Sequence, residues 1–595
     1  MARGEQRSRT LLDIDFDALI AKHLKENHVP GISIGIIHDG KIEIKGYGFA
    51  QLPSTPATPD TLWLAGSVAK SFTAAAIGKV IHDASPPSVS GNVNVRWTTP
   101  LQAMIREDFV LENGYATAHT TIEDALSHRS GLPSHDMAYG WDHASARDVV
   151  RRARHLPMNV EPRTQWQYNN ILYAAVEMCV EAVTGRTLPE VLEERIWRPL
   201  DMLSTTFSLI AAHNKKDSTT GTSRLATGYY WHEEGECFVP DEYMDLTAVA
   251  GAGAVISSVN DLVKWMNALL DVSYLFQEMT TPRAIIPHGS TSICDHCSGP
   301  STYALGWFLH TIGTNRVVSH SGGMVGFGTV LYLVPEHGVG FVTMANTMGS
   351  SNTVGQALFL EVLQRLNLYR PDPVEQHEIL RMTPTSTIPA EDQTNHPSQT
   401  LMQQPAPLRK NCDRLTGSIE DYLGKYWHPA YGEFTVKTAH NIDLLRSMAK
   451  MEEGIGIQAN EHDVFLQAEP SSRTWPYIYL LKHDQGSTFE MHGFFPHGPL
   501  PGERTLNGDS ANPNEDSAYS DGSIGAGALM NGTGKVPFQT VYQYLYQVKA
   551  KFETGDVDRG STLAKRLGME LSVEMTVSER AEKDPSAGMI WLERI

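Results

Sequence analysis

The stretch GSVAK at 66–70 opens an alanine-rich segment and places Ser67 three residues before Lys70. Three residues along a helix return to nearly the same face, so the Lys70 amine can approach Ser67 Oγ. An ammonium there stabilises the alkoxide, and a neutral amine can itself take the hydroxyl proton. Either route turns Ser67 into a nucleophile. The Ser67 N–H, at the positive end of a helix, is also a natural donor to a developing oxyanion. The chemistry predicted from this motif is acyl transfer through a covalent intermediate on Ser67.

Two other serines imitate a nucleophile. SMAK at 447–450 repeats the spacing with Ser447 and Lys450, but in a strand-rich C-terminal region without accompanying motifs. Serine and lysine are common enough for such a match to recur by chance in a long chain. GISIG at 31–35 matches the G-x-S-x-G of hydrolases, yet that elbow requires a strand, a sharp turn and a helix. Ser33 instead sits inside an alternating strand that leads to a hairpin, so its hydroxyl reads as structural. CDHC at 294–297, with His288 nearby, offers zinc-ligand residue types. A structural zinc takes a second close pair, none follows, and the segment reads as a surface loop. No metal and no cofactor is expected.

The elements that must position Ser67 follow from hydrophobic periodicity. Residues 13–27 read as an amphipathic helix, and 31–37 and 41–47 as strands joined at His38-Asp39-Gly40, an Asp-Gly hairpin signal. Residues 67–81 read as a helix with Phe72, Ile77 and Val80 on its apolar face. A second helix spans 170–183, with Gly185 where a helix end wants φ > 0. A third spans 259–270, after the small-residue run AGAGA at 250–254. Strands at 317–319, 329–334 and 339–345 complete an antiparallel sheet covered by helices. Residues 367–413, rich in Pro, Thr, Gln and Ser, read as a linker. Beyond it, short alternating runs at 432–436, 455–458, 464–467, 477–481, 489–494 and 590–595 predict a small β-barrel or sandwich. The polar stretch 501–537 reads as a disordered insertion.

With these elements in place the chain resembles the serine β-lactamase and penicillin-binding-protein superfamily, in particular its class C-like branch of esterases, D-aminopeptidases and acyltransferases. Four segments carry the resemblance: WLAGSVAKSFT at 63–73, LSHRSGLP at 126–133, WQYNN at 166–170 before an apolar helix, and HSGG at 320–323 before a strand. Their order and intervals fit the family across roughly residues 15–366. In isolation Tyr168 would be a surface aromatic, Asn170 a helix N-cap and His320 a strand-end residue; together the constellation favours function.

The resemblance implies an α+β, β-lactamase/transpeptidase-like fold and assigns roles. Tyr168, near Lys70, would be the general base toward Ser67 and later toward the deacylating nucleophile. Asn170 would orient Lys70 and the substrate. His320, Gly322 and Gly323 form the third motif, with the Gly323 N–H completing an oxyanion hole with Ser67 N–H. His320 stands where lactamases proper carry a lysine. A neutral histidine supplies no fixed charge for a β-lactam carboxylate, so an ester or uncharged amide is the better substrate. More weakly, YLGKYWHPAYG at 422–432 and the segments LGME at 567–570 and MIWLER at 589–594 resemble a C-terminal lipocalin-like barrel that shapes or covers the mouth of such sites. The expected domains are therefore 1–366, catalytic; 367–413, linker; and 414–595, barrel.

Composition bounds the remaining choices. A chain of 595 residues is long for one core, so two domains are expected. No apolar run approaches the ~20 residues of a membrane span. The net charge of −20 disfavours nucleic acid as a partner. The polar N-terminus and five scattered cysteines point to a cytoplasmic protein with reduced thiols. The expected function is a serine hydrolase of a small-molecule or short-peptide acyl substrate. Acyl transfer to an alcohol or amine, as in some fungal polyketide-pathway members, and a catalytically silent binding protein are the alternatives.

Overall fold

The structure is a computed structural model that describes residues 10–82, 95–140, 143–233, 235–271, 274–287, 297–370, 415–440, 445, 447, 465–471, 477–499, 540–554, 564–569 and 590–595. The predicted insertion at 501–537, the strand at 455–458 and the linker beyond residue 370 lie outside those residues.

Alternating and continuous apolar runs build a nine-stranded antiparallel sheet. Its spatial order is Thr55–Pro56, Lys41–Gln51, Gly31–His38, Val339–Ala345, Phe327–Val334, Asn315–Met324, Phe308–Ile312, Thr302–Tyr303 and Ala284–Ile285. The first hairpin turns where predicted, His38 pairing with Lys41 across Asp39 (φ 50°) and Gly40 (φ 70°), the paired positive φ values that a two-residue turn requires.

Gly31–His38 and Phe327–Val334 are buried nearly throughout because both sheet faces are covered. On one face Phe16 and Ile20 of the Ile14–Glu26 helix and Phe359 of the Ser350–Arg365 helix join Ile34, Tyr332 and Phe341 in a core. On the other, Val259 and Val263 of the Val259–Leu270 helix lie so close to Gly35 that a Cβ there would meet them at 2.8 and 2.5 Å. This face also carries the Ala69–His82 helix, whose Phe72 stacks on Trp265 with centroids 4.8 Å apart. Burying one such aromatic contributes about 1.5–3 kcal/mol.

The predicted helix at 67–81 begins later than expected. Ser67 lies in a 3-10 turn, Gly66–Val68, and the α-helix runs Ala69–His82. Gly66 at φ 54° sets this break, a conformation that glycine adopts without a Cβ clash. The helices Ile171–Thr184, ending on Gly185 at φ 67°, and Val259–Leu270 fall where periodicity put them.

The C-terminal strands Gly424–His428, Gly432–Thr438, Phe465–Pro470, Ile478–Gln485, Thr488–Pro499, Thr540–Thr554, Ala564–Met569 and Ile590–Arg594 close an eight-stranded antiparallel barrel. Tyr426 pairs with Arg594 to seal it. Tyr422, Tyr426, Phe489, Met491, Phe552 and Leu567 are buried, as expected of a barrel small enough for side chains to fill. Among the described residues no helix is long and apolar enough to cross a membrane.

Candidate active site

Trp63 and Leu64 pair with Ser257 and Ile256, and Ala65 N–H donates to Val255 O at 2.8 Å. That short ladder ties the serine turn to the Ala250–Gly253 helix. On its other side the turn meets the Asn315–Met324 strand at glycine. A Cβ on Gly322 would lie 2.0 Å from Ala65 O and 3.1 Å from Ser67 N, and one on Gly66 would lie 3.0 Å from Gly323 N. Only glycine allows the two backbones so close. The structure thereby brings Gly322 and Gly323 beside the Ser67 amide.

Lys70 is wholly buried, and each of its three ammonium hydrogens has an acceptor: Ser67 Oγ at 3.0 Å, Asn170 Oδ1 at 2.7 Å and Ala252 O at 2.9 Å. Nζ also lies 4.7 Å from the Tyr168 ring centroid and 5.2 Å from that of Tyr173. Burial pulls the ammonium down from its ordinary 10.5 to about 7, with the Asp136 carboxylate opposing. Near neutral pH both protonation states are therefore accessible. Tyr168 Oη donates to Ser67 Oγ at 2.8 Å, so the serine oxygen lies within hydrogen-bond reach of the two groups able to exchange its proton.

Asn170 sits at the N-cap position of the Ile171–Thr184 helix but its side chain makes no cap bond. That work falls to Asn169, whose Oδ1 accepts from Leu172 N at 3.0 Å. Asn170 is thus left to hold Lys70, while its Nδ2 donates to Asp136 Oδ1 at 3.1 Å and Tyr139 Oη at 3.4 Å. Neither Asp136 nor Tyr139 was read from the sequence. The only local signal is that both follow the SGLP loop at 130–133.

His320 is brought to the site but withdrawn from solvent. Ser321 O accepts from Nδ1 at 2.7 Å, so Nε2 accepts from Tyr303 Oη at 2.9 Å. Burial, with Lys70 adding to it, pushes His320 down to about 3. The ring is neutral and presents no cation. His128, from the SHRSGLP segment, is equally buried. Its Nδ1 accepts from Asn169 N at 3.0 Å and its ring packs 4.3 Å from that of Tyr168, which fixes the tyrosine from behind.

A further group missed in the sequence is Glu177. Its Oε2 accepts from Gly251 N at 2.7 Å, and Thr73 Oγ1 donates to Gly251 O at 2.6 Å. The two hold the turn whose next carbonyl, Ala252 O, receives Lys70. Burial raises Glu177 from 4.5 to about 7.

The rival serines are elsewhere. Ser33 is fully buried, its Oγ donating to Thr58 O at 2.8 Å and accepting from Trp63 Nε1 at 3.1 Å. Ser447 lies in the C-terminal part, and its partner Lys450 is outside the described residues. Of the suggested zinc ligands, His288 and Cys294 are also outside them, and Cys297 is half-buried and bridges Ile312 of the Phe308–Ile312 strand. Among the described residues no group of three or more His, Cys, Asp or Glu side chains comes together as a metal site.

The same architecture is found in known proteins. An unguisins hydrolase of Aspergillus campestris is 35% identical over 454 residues, covering 73% of this chain and 79% of the relative. One from Aspergillus violaceofuscus is 32% identical over 462 residues, covering 73% and 78%. The octameric penicillin-binding protein homologue from Pyrococcus abyssi superposes with a TM-score of 0.52 over 81% of this chain and 95% of its own, at 19% identity; that likeness is one of fold. The profile described as Beta-lactamase spans residues 16–364, from the first helix of the sheet core through the serine turn to the last helix, and the chain belongs to that family.

Proposed function

We propose that the protein is a serine hydrolase that acts on a small-molecule or short-peptide amide or ester through an acyl-enzyme on Ser67. The observation that carries this reading is the placement of Ser67 Oγ 3.0 Å from Lys70 Nζ and 2.8 Å from Tyr168 Oη. A silent binding protein has no need of a buried lysine held by three acceptors.

In this reading the Tyr168 hydroxyl first gives up its own proton to solvent, and the phenolate beside the Lys70 ammonium takes the Ser67 proton as Oγ attacks the carbonyl carbon. The tetrahedral oxyanion is held by the N–H groups of Ser67 and Gly323. Tyr168 then passes the proton to the departing amine or alcohol. It next accepts one from the water that cleaves the acyl-enzyme and returns it to Ser67 Oγ as the acid departs, so one group serves both halves of the cycle. Asn170 keeps Lys70 oriented throughout. Neutral His320 supports an uncharged group at the position where a β-lactam would present its carboxylate.

The hydrolase names of the two Aspergillus relatives favour water over an alcohol or amine as final acceptor. The reading divides the chain into a catalytic part at 1–366, a linker at 367–413 and a barrel at 414–595. The free thiols of Cys179 and Cys237 favour a reducing, cytoplasmic setting.

A fluorophosphonate probe, followed by peptide mapping, should modify Ser67 and leave Ser33 and Ser447 untouched. A panel of chromogenic esters, D-amino-acid amides and a cephalosporin, run beside Ser67→Ala, then sorts the substrate class. Labelling at another serine, or turnover undiminished in Ser67→Ala, would refute the assignment.

A further inference from the structure

Among the described residues, contacts at His497 and at Tyr431 join the barrel to the catalytic part. At one, His497 Nδ1 lies 2.5 Å from Asp241 Oδ1 and its ring stacks on Tyr230 at 3.9 Å. This anchors the Thr488–Pro499 strand on the Tyr229–His232 and Cys237–Pro240 hairpin. At the other, the turn between Gly424–His428 and Gly432–Thr438 delivers Tyr431, fully buried, to His135. His428 Nδ1 braces that turn by accepting from Ala430 N at 3.1 Å and Tyr431 N at 3.3 Å.

The hydrogens at His135 can be assigned. Pro157 O, 3.2 Å from Nε2, can only accept, so Nε2 carries the proton. Nδ1 is then a lone pair, and Tyr431 Oη donates to it at 2.6 Å. The residue after His135 is Asp136, whose Oδ1 receives Asn170 Nδ2 at 3.1 Å, and Asn170 Oδ1 receives Lys70 at 2.7 Å. Three hydrogen bonds and one peptide link therefore run from the barrel to the ammonium beside Ser67.

We propose that Tyr431 is a positioning residue for the Lys70–Asn170 pair, acting from the barrel through His135 and Asp136. This rests on the serine-hydrolase reading only for its kinetic consequence. The chain fixes where the 133–138 segment lies, and with it the one carboxylate that supports the charge on Lys70. The other titratable groups around Lys70 are Tyr168 and Tyr173, whose rings face it, and neutral His128 and His320. Glu177 stands behind the Ala252 carbonyl. None of these touches Tyr431 through a hydrogen bond described above. Because the His497 anchor is independent, removing one hydroxyl at Tyr431 leaves the barrel docked.

The test uses the full chain and a small phosphonofluoridate, with the rate of Ser67 phosphonylation, which releases fluoride and stands in for acylation, followed against pH. Tyr431→Phe should acylate about tenfold more slowly, the scale of one lost buried hydrogen bond. Its profile should also move to lower pH, because an ammonium that loses a nearby carboxylate gives up its proton more easily. His135→Leu should reproduce both changes, and the double variant should be no worse than either single one. His135→Asn, whose amide oxygen can still accept from Tyr431, should recover most of the rate. Wild-type rate and profile in Tyr431→Phe, or additive losses in the double variant, would overturn the proposal. A wild type that is never labelled would overturn the serine-hydrolase reading instead. In that event the Lys70 titration, followed by NMR on chain labelled at lysine nitrogen, still decides: a lower midpoint in Tyr431→Phe supports the coupling and an unchanged midpoint ends it.

Discussion

Replacing Glu177 by glutamine should stabilise the protein at alkaline pH and give no such gain in acid. Glu177 is 7% exposed and accepts one backbone hydrogen bond, from Gly251. Burial raises its carboxyl from 4.5 to about 7. Between those values the folded chain keeps a proton that the unfolded chain has released. The favourable contribution is therefore complete below about pH 4.5 and lost as the pH rises through about 7. At about 1.36 kcal/mol per pH unit, the interval corresponds to ~3 kcal/mol. Glutamine keeps an oxygen for Gly251 N–H and has no charge to desolvate. Urea unfolding of both proteins would be followed by tryptophan fluorescence of the catalytic part from pH 4.5 to 9. The difference between them should grow by up to ~3 kcal/mol across that range. Glu177→Ala, which leaves Gly251 N–H without its acceptor, should lose about 1–3 kcal/mol in acid and regain up to ~3 kcal/mol as the pH rises, because it too removes the buried charge. A Glu177→Gln difference that is flat with pH would refute the reasoning.

Two further outcomes follow from the site. Tyr168→Phe should slow Ser67 acylation by about 10²–10⁴-fold with little change in stability, and adding Lys70→Ala should cost less than the product of the single losses; pre-steady-state acylation measures both, and a near-normal rate in Tyr168→Phe would leave Lys70 as the base. His320, pushed down to about 3 by burial, should show flat ring resonances between pH 5 and 8 in an NMR titration; a midpoint near the ordinary 6.5 would mean that the ring is far wetter than its 1% exposure.

The parts of this molecule legible in sequence are those whose cause is local. Ser67 and Lys70 stand three apart, the Asp39-Gly40 turn sits between alternating runs, and Gly185 closes an apolar helix. The start of the helix after Ser67 was less legible. Periodicity from Val68 onward is helical, but Gly66 at φ 54° and the approach of Gly322 delay the α-helix to Ala69. The barrel's register depends on pairings between distant segments. Gly424–His428 is only five residues long, and Ala564–Met569 mixes cations and a glycine with its apolar residues. Thr540–Thr554 carries a period of two, yet it was not among the strands expected from the sequence. Asp136, Tyr139 and the Ala252 carbonyl have no motif, because what recruits them is a neighbour 34, 31 and 182 residues away in the chain.

The same nonlocality decides how the site is held. Lys70 draws its acceptors from three segments, the serine turn, the helix start at Asn170 and the Ala250–Gly253 turn. Burial that brings the ammonium from 10.5 to about 7 costs ~5 kcal/mol of stability at any pH below 7, because the unfolded chain then holds its proton more tightly than the folded one. The Glu177 cost has the opposite slope and is nearly complete once the pH passes about 7. The two penalties therefore coincide near neutrality, where a lysine close to its midpoint is most useful to Ser67. Each is relieved only in part locally, Lys70 by the Asp136 carboxylate and Glu177 by the Gly251 N–H. The compensation lies in the packed sheet and in helices such as Ala69–His82, where eleven residues from Ala69 to Val80 are buried. A substitution that weakens that packing should thus reach the chemistry through the hydration of Lys70 before any atom near Ser67 is changed.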